Sequence, residues 1–430
     1  MVPHLVTALK GPLLELERRF LEATPQIERW FRLEWQEHTP PFYCSTDLRN
    51  AGFKLAPVDT NLFPGSFDNL AADTLPLAVQ AAMAAIEKYC PDARNLLLIP
   101  ESRGFSPNYL RNVARLSAIL RQTGLNVRLG SLDPEVRGPT PLVLADNPGL
   151  VIEPLVRRGR RVGLEDFDPC TILLNNDLSS GLPEILKDLH EQVVLPPLHA
   201  GWAVRRKSNH FAAYRDVAKR FGKTFDIDPW LIDPLFASCS DVNFNERTGE
   251  ECVEARVETL LRQMRSKYRE YGIAETPFVI VKADAGTYGV GVVSVKDASE
   301  VRKLSVRQRS GLTVAKEGLE VTRVILQEGV PTFESIDDAW AEPVVYMVDR
   351  HVVGGFYRVH AGRGRDENLN APGMQFVPLP FAASCNLPDA NASVEAAANR
   401  FYAYGVVGRL ALLAASIELE KTDPDQSLYG

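Results

Sequence analysis

Residues 281–297 read VKADAGTYGVGVVSVKD, which sets Lys282 four positions ahead of Gly286, with Gly289 and Gly291 following. Apolar β-branched residues flank the glycines on both sides, so the pattern predicts a strand, a glycine-rich turn and a returning strand. With no Cβ in the way, successive backbone N–H groups of such a turn can face a phosphate, and a lysine at the strand end adds a point charge. The chemistry on offer is the cradling of a nucleotide's phosphates. An ordinary hairpin whose lysine runs out to solvent uses the same residues.

Spacing separates this loop from other phosphate binders. Gly222-Lys223-Thr224 tempts as a Walker loop, but position 217, where the first glycine belongs, is Val217. Residues 286–291 run G-x-x-G-x-G and open a strand, whereas the dinucleotide fingerprint runs G-x-G-x-x-G and opens a helix. A protein kinase places its glycines before its lysine; here the lysine comes first. No HExxH, G-x-S-x-G or EF-hand loop is present.

Three segments in order resemble the ATP-grasp superfamily. FVIVKADAGTYGVGVVSVKD is similar to its lysine strand and phosphate loop, and VILQEGV (324–330) to its hinge. FYRVHAGRGRDENLNAPG is similar to its arginine strand and the N-L-x-x-G segment of glutathione synthetase-like members. The resemblance implies ATP and Mg2+ as cofactors, with Lys282, Gly286, Gly289 and Gly291 at the phosphates. Main-chain groups of Gln327 to Val330 would read adenine, with Glu328 or a nearby carboxylate on the ribose. Arg358 would contact the transferring phosphoryl group, and Asn368 and Asn370 the phosphates or magnesium.

The first half narrows the resemblance. FYCSTDLRNAGFKLAPVDTNLFPG, NNDLSSGLPEIL and PPLHAGWAVRRKSNHFAAY resemble the proteobacterial glutamate–cysteine ligase family, and the likeness spans essentially the whole chain. Ser66 and Asp68 depart from the family's expected PGGFNNL. The nearest match to a C-terminal E-x-N metal motif is Glu418-Leu419-Glu420, with Glu in place of Asn, and it reads equally as the polar end of a helix. The implied reaction phosphorylates the γ-carboxylate of glutamate and lets the amino group of cysteine attack the acyl phosphate, giving γ-glutamylcysteine, the first step of glutathione synthesis. Phosphoryl transfer of this kind needs positioning and charge neutralisation rather than a covalent nucleophile. Arg49, Arg205 and Arg206 are candidates for the α-carboxylate of glutamate, since an arginine fork suits a carboxylate, and Asp59 and Asn61 for its ammonium. Two other readings stay open: another carboxylate–amine ligase on the same scaffold, and a nucleotide-binding regulatory protein without turnover.

These residues need elements to hold them. At 430 residues the chain exceeds one ordinary core, and the reading divides it at residue 200. Residues 1–200 form an N-terminal, open, mostly parallel α/β domain for the amino-acid substrate; residues 201–430 form an ATP-grasp (α+β) catalytic domain, glutathione synthetase-like. Helices are expected over 12–36, over 108–123 and over about 250–271, each from its apolar stripe. NLLLIP, LNVRLGS, TPLVLA and CTILLNND read as strands of the first sheet. Residues 42–70 lack a helical period and are dense in Asp, Asn, Pro and Gly, an irregular stretch that interleaved Phe and Leu would keep ordered.

The net charge of −7 argues against a nucleic-acid or membrane-surface partner, leaving small molecules, with a homo-oligomer open. Six scattered cysteines without a CxxC pair suggest neither a disulfide framework nor a zinc site and suit a reducing cytoplasm. Early charges argue against a signal peptide. The apolar stretch VVGRLALLAASI, interrupted by Arg409, reads as too short to span a bilayer.

Overall fold

A computed structural model describes residues 5–6, 11–102, 104–144, 149–286, 291–313, 320–379 and 400–424. Gly289, near the tip of the glycine loop, lies outside them.

In the first half, Asn95–Ile99 is a central strand between Thr171–Leu174 and Asn126–Ser131. Val193–Leu195 and Val151–Pro154 extend this sheet, and all four of these pairings are parallel. Strands covered on both faces need no alternation of polar and apolar residues, and NLLLI and TILL are accordingly unbroken apolar runs. TPLVLA, expected as a full strand, contributes only Thr140–Pro141 as an antiparallel edge. The helix Pro107–Gln122 buries Leu110, Val113, Leu116 and Leu120 on one face, and the Ser106 hydroxyl caps its start by accepting from the Tyr109 N–H at 3.2 Å.

Beside a small antiparallel ribbon of Val156–Arg158 and Arg161–Gly163, two larger antiparallel sheets follow among the described residues. One has four strands, in the order Phe236–Ser240, Arg323–Glu328, Val279–Ala283 and Val293–Val295. Val279 and Val281 face the helix Glu250–Glu270, whose Val253, Val257, Leu260, Leu261, Met264 and Tyr268 are buried. The second sheet has seven strands centred on the hairpin of Ala339–Val348 and His351–His360.

Residues 42–70 hold two regular strands. Tyr43–Asn50 pairs with Ala339–Val348 and also with Leu55–Asn61. This sheet therefore crosses the expected division at residue 200. Thr46, Arg49, Asn50, Lys54 and Thr60 are buried there; polar residues turned inward hide the alternation by which a strand is normally recognised.

The helix Arg400–Thr422 packs against the helix Lys207–Phe225 and the strands of residues 43–61. Its Phe401–Thr422 portion, longer than the stretch read from the sequence, is long and apolar enough to cross a membrane by length and composition, but 89 % of its most apolar 18-residue window is buried within the protein. Apolar residues all round are what a core helix requires. The cysteine reading also changes: Cys239 and Cys252, with Cα atoms 6.3 Å apart, are paired as a disulfide. Their separation, a distance that disulfides span, is set by a strand meeting a helix.

Candidate active site

The four-stranded and seven-stranded sheets face each other across a cavity. Side chains of a strand alternate between its faces, so Ile280 and Lys282 point into the cavity while Val279 and Val281 fill the core behind. Across from them, Asp47, Arg49, Asp59, Glu342 and Arg358 line the opposing wall. Phe278, Val292 and Val330 supply apolar surface, and Gln327, Glu328, Asn368 and Asn370 close the ends. This inner chamber, about 90 Å3, shares Ile280, Val292, Asp366, Glu367 and Asn368 with an outer chamber of about 650 Å3 that Gly291 also lines.

Lys282 is buried, and its Nζ donates to the Val58 carbonyl at 2.7 Å. Burial lowers its pKa to about 8, against the pull of Asp59. Burial pushes the Asp59 carboxyl up, yet Lys207 and Lys282 hold it below the usual range. Lys207 Nζ lies 2.7 and 2.9 Å from the two Asp59 oxygens. The far end of the lysine strand is pinned as well: Asp284 accepts from the Ser208 N–H and hydroxyl, both at 2.7 Å, at the start of the helix Lys207–Phe225.

Arg358 stands directly opposite Glu342 on paired strands. Its Nη1 donates to Glu342 at 2.5 Å and to Asp47 at 2.8 Å, while its Nε, though buried, has no partner among the described residues. Burial raises the Asp47 carboxyl despite Arg358; burial also opposes ionisation of Glu342, but Arg49 and Arg358 bring it below the usual range. Gln327 Nε2 is a second buried donor without a partner among the described residues.

Other expected residues stand elsewhere or differently occupied. Glu328 lines the cavity, but its carboxylate is held by Lys54 Nζ at 2.7 Å, Trp230 Nε1 at 3.1 Å and the Leu235 N–H at 2.9 Å. Those bonds take the carboxylate that a ribose would need. Arg49 is engaged by Glu342 at 2.7 Å and by the carbonyls of Arg365 and Glu367 at 3.1 and 2.7 Å, anchoring the loop that carries Asn368 and Asn370. The Asn368 side chain in turn bonds the Asn370 backbone, at 3.0 and 3.2 Å.

Arg205 and Glu418 neutralise each other through two bonds of 2.9 Å, both fully buried and off the cavity wall. Burial works against the Glu418 charge, but Arg205 and His210 hold its pKa at about 2. Glu420 caps the other side of its helix end, on His38 Nδ1 at 2.7 Å and the Thr39 N–H at 3.1 Å. Asn61 bonds within its own turn, to Phe63. Gly286, with φ +89°, and Arg206 line a separate, second cavity.

Asp47, Glu342, Asp366 and Glu367 escaped the reading of the sequence. Nothing local marks Glu342, which lies within the strand Ala339–Val348 just ahead of its apolar run; its partners Arg358 and Arg49 give it a role.

The chain was compared with known proteins. The profile of the family described as Glutamate-cysteine ligase matches residues 17–419. A Methylobacillus flagellatus protein assigned as a gamma-glutamylcysteine synthetase is 60 % identical; its crystal structure covers 98 % of this chain and 100 % of its own, with a TM-score of 0.90. A glutathione synthetase-like effector from Globodera pallida, in apo form, is 7 % identical, with a TM-score of 0.37 over 85 % of this chain and 81 % of its own; so weak a likeness decides nothing. No curated protein matches the sequence.

Proposed function

The chain belongs to the glutamate–cysteine ligase family, and we infer that the cavity between its two antiparallel sheets is where glutamate and cysteine are joined into γ-glutamylcysteine for glutathione synthesis. The enzyme is a ligase acting on these two small molecules. We take the two sheets as the halves of a glutathione synthetase-like ATP-grasp site, with ATP between them.

One observation carries this reading. Lys282 and Arg358 face one cavity from opposite sheets, and two buried donors there, Gln327 Nε2 and Arg358 Nε, lack acceptors. A buried donor without a partner is unfavourable by about 1–3 kcal/mol, so the site suits a ligand rich in acceptors. The apolar surface of Phe278, Ile280, Val292 and Val330 fits a flat base beside Gln327.

Magnesium fits on different terms. Among the described residues no three His, Cys, Asp or Glu side chains form a metal cage. Mg2+ commonly uses one or two carboxylates and completes its shell with water and phosphate oxygens. Glu367, Asn368 and Asn370, on one anchored loop of the cavity wall, would hold it. Glu418 and Glu420 have no part in this.

When bound, ATP supplies the phosphoryl group that makes the glutamate γ-carboxylate reactive toward an amine. Lys282 and Arg358 neutralise charge on that group from either side, fixed beforehand by Val58, Asp47 and Glu342. The opposing sheets exclude water, which would otherwise compete with the amine of cysteine.

Release of ADP by purified protein, with Mg2+ and ATP and with glutamate and cysteine supplied singly and together, tests the assignment. Release that requires both amino acids is expected. Release with glutamate and a different amine would make the protein another carboxylate–amine ligase. Tight ATP binding without ADP under any amine would make it a regulatory protein.

A further inference from the structure

A second cavity, of about 230 Å3, adjoins the first and has no task in the account so far. Its wall combines Ser179, from NNDLSSG after the parallel strand Thr171–Leu174, with Trp202 and Arg206, from the turn before the helix Lys207–Phe225. Gly286, Glu320 and Arg323, at the ends of the lysine and hinge strands, complete it. In open parallel sheets, ligands gather at the carboxyl ends of strands.

Trp202 is 3 % exposed, yet its Nε1 has no hydrogen-bond partner among the described residues. The ring is held firmly, with Arg205 and Lys207 stacked over it at 4.9 and 4.3 Å from its centroid. A buried indole N–H fixed on a cavity wall calls for an acceptor from a ligand.

Arg206 adds charge. Of the three arginines that could have clamped a carboxylate, Arg49 and Arg205 are neutralised by Glu342 and Glu418. Arg206 has no salt bridge among the described residues: its Nη1 donates to the carbonyls of Ala203, Val204 and Arg205, at 3.2, 2.9 and 3.0 Å. These bonds orient the guanidinium without cancelling its charge. Arg323, likewise without a salt bridge among the described residues, shares the wall.

Glu320 is the one carboxylate among these wall residues, and its Oε1 accepts from Asn243 at 3.0 Å. Two guanidiniums, an indole N–H and a single carboxylate complement a carboxylate and an ammonium on one small molecule. A polyanion would meet Glu320 instead.

The cavity is also close to the chemistry. Lys207, stacked on Trp202, is 2.7 Å from Asp59, which lines the nucleotide cavity beside Lys282. Trp202, Lys207 and Asp59 thus form a chain of contacts from the wall of one cavity to the wall of the other.

We propose that the second cavity binds an amino-acid substrate, with Arg206, Arg323 and the Trp202 N–H on its α-carboxylate and Glu320 on its ammonium. The proposal rests on the ligase reading above. Glutamate and cysteine share this chemistry, and the test separates them.

The test uses Trp202→Phe, which keeps the ring and removes the N–H, and Arg206→Met. Glutamate and cysteine are each titrated calorimetrically into wild type and variants with a non-hydrolysable ATP analogue, whose own affinity is measured in parallel. Both variants should weaken one amino acid roughly tenfold or more and leave the analogue within about twofold; the weakened ligand names the occupant. Unchanged binding of both amino acids in Trp202→Phe overturns the proposal, as does equal weakening of the analogue. Should wild type release no ADP with glutamate and cysteine, the ligase reading fails separately. Binding of either amino acid that is lost in Trp202→Phe then still upholds the cavity, and no binding to wild type overturns it.

Discussion

Lys282 meets the cavity with a weakened hold on its proton. Burial sets its pKa at about 8, so near neutral pH the free protein carries an ammonium that is lost as pH rises through 8. Phosphate favours the ammonium form, and affinity for ATP should therefore fall above pH 8, approaching tenfold per unit. In Lys282→Arg, whose guanidinium keeps its charge, the slope should vanish. Titrating an ATP analogue between pH 7 and 9.5 checks this; a flat wild-type profile would assign the phosphates to another group. Arg358→Lys keeps the charge but loses the free Nε donor, and kcat should drop by roughly 10²–10³ while ATP affinity moves little, a split that steady-state kinetics resolves. Lys282 and Arg358 were legible because their spacing to glycines and asparagines is local. The ion pairs of Arg49 and Arg205 were not, since their partners Glu342 and Glu418 lie 293 and 213 positions along the chain.

Three strands set the geometry, and each could be read from its own residues: the lysine strand Val279–Ala283, the hinge strand Arg323–Glu328 and the arginine strand His351–His360. The strands of residues 43–61 could not, because their inward side chains are polar and buried. Between elements, Gly291 is decisive. Its φ is +72°, and a Cβ there would lie 2.0 Å from the Gly311 carbonyl. Gly291→Ala should displace the returning strand and weaken ATP binding by about tenfold or more, as expected of overpacking worth roughly 1–3 kcal/mol; calorimetry decides, and wild-type affinity would free the loop from this contact. The hinge is fixed from behind by Lys54 on Glu328, both almost fully buried. Lys54→Met strands a buried charge, and destabilisation of about 3–5 kcal/mol is expected, read as a fall in the thermal midpoint that saturating ATP partly restores.

At the scale of the molecule, the parallel sheet and the helix stripes were legible, but the joining of the two halves was not. Strand Tyr43–Asn50 pairs with Ala339–Val348, and Arg205 links the Thr60 carbonyl at 2.8 Å to Glu418 of the C-terminal helix. Such pairings depend on residues hundreds of positions apart. Glu418 is accordingly a tie between elements: Glu418→Gln should lower the thermal midpoint without changing the Mg2+ concentration needed for ADP release. A large rise in that requirement would return Glu418 to the metal. Because its pKa falls from 4.5 unfolded to about 2 folded, its stabilisation is present above pH 4.5 and is lost as pH falls toward 2. On the reading proposed, this fold activates a carboxylate by phosphorylation between Lys282 and Arg358. The most direct test of that step supplies glutamate carrying 18O in the γ-carboxylate, with ATP and cysteine, and weighs the released phosphate. One 18O per phosphate is expected, abolished along with turnover in Lys282→Ala; unlabelled phosphate formed alongside γ-glutamylcysteine would rule out the acyl phosphate.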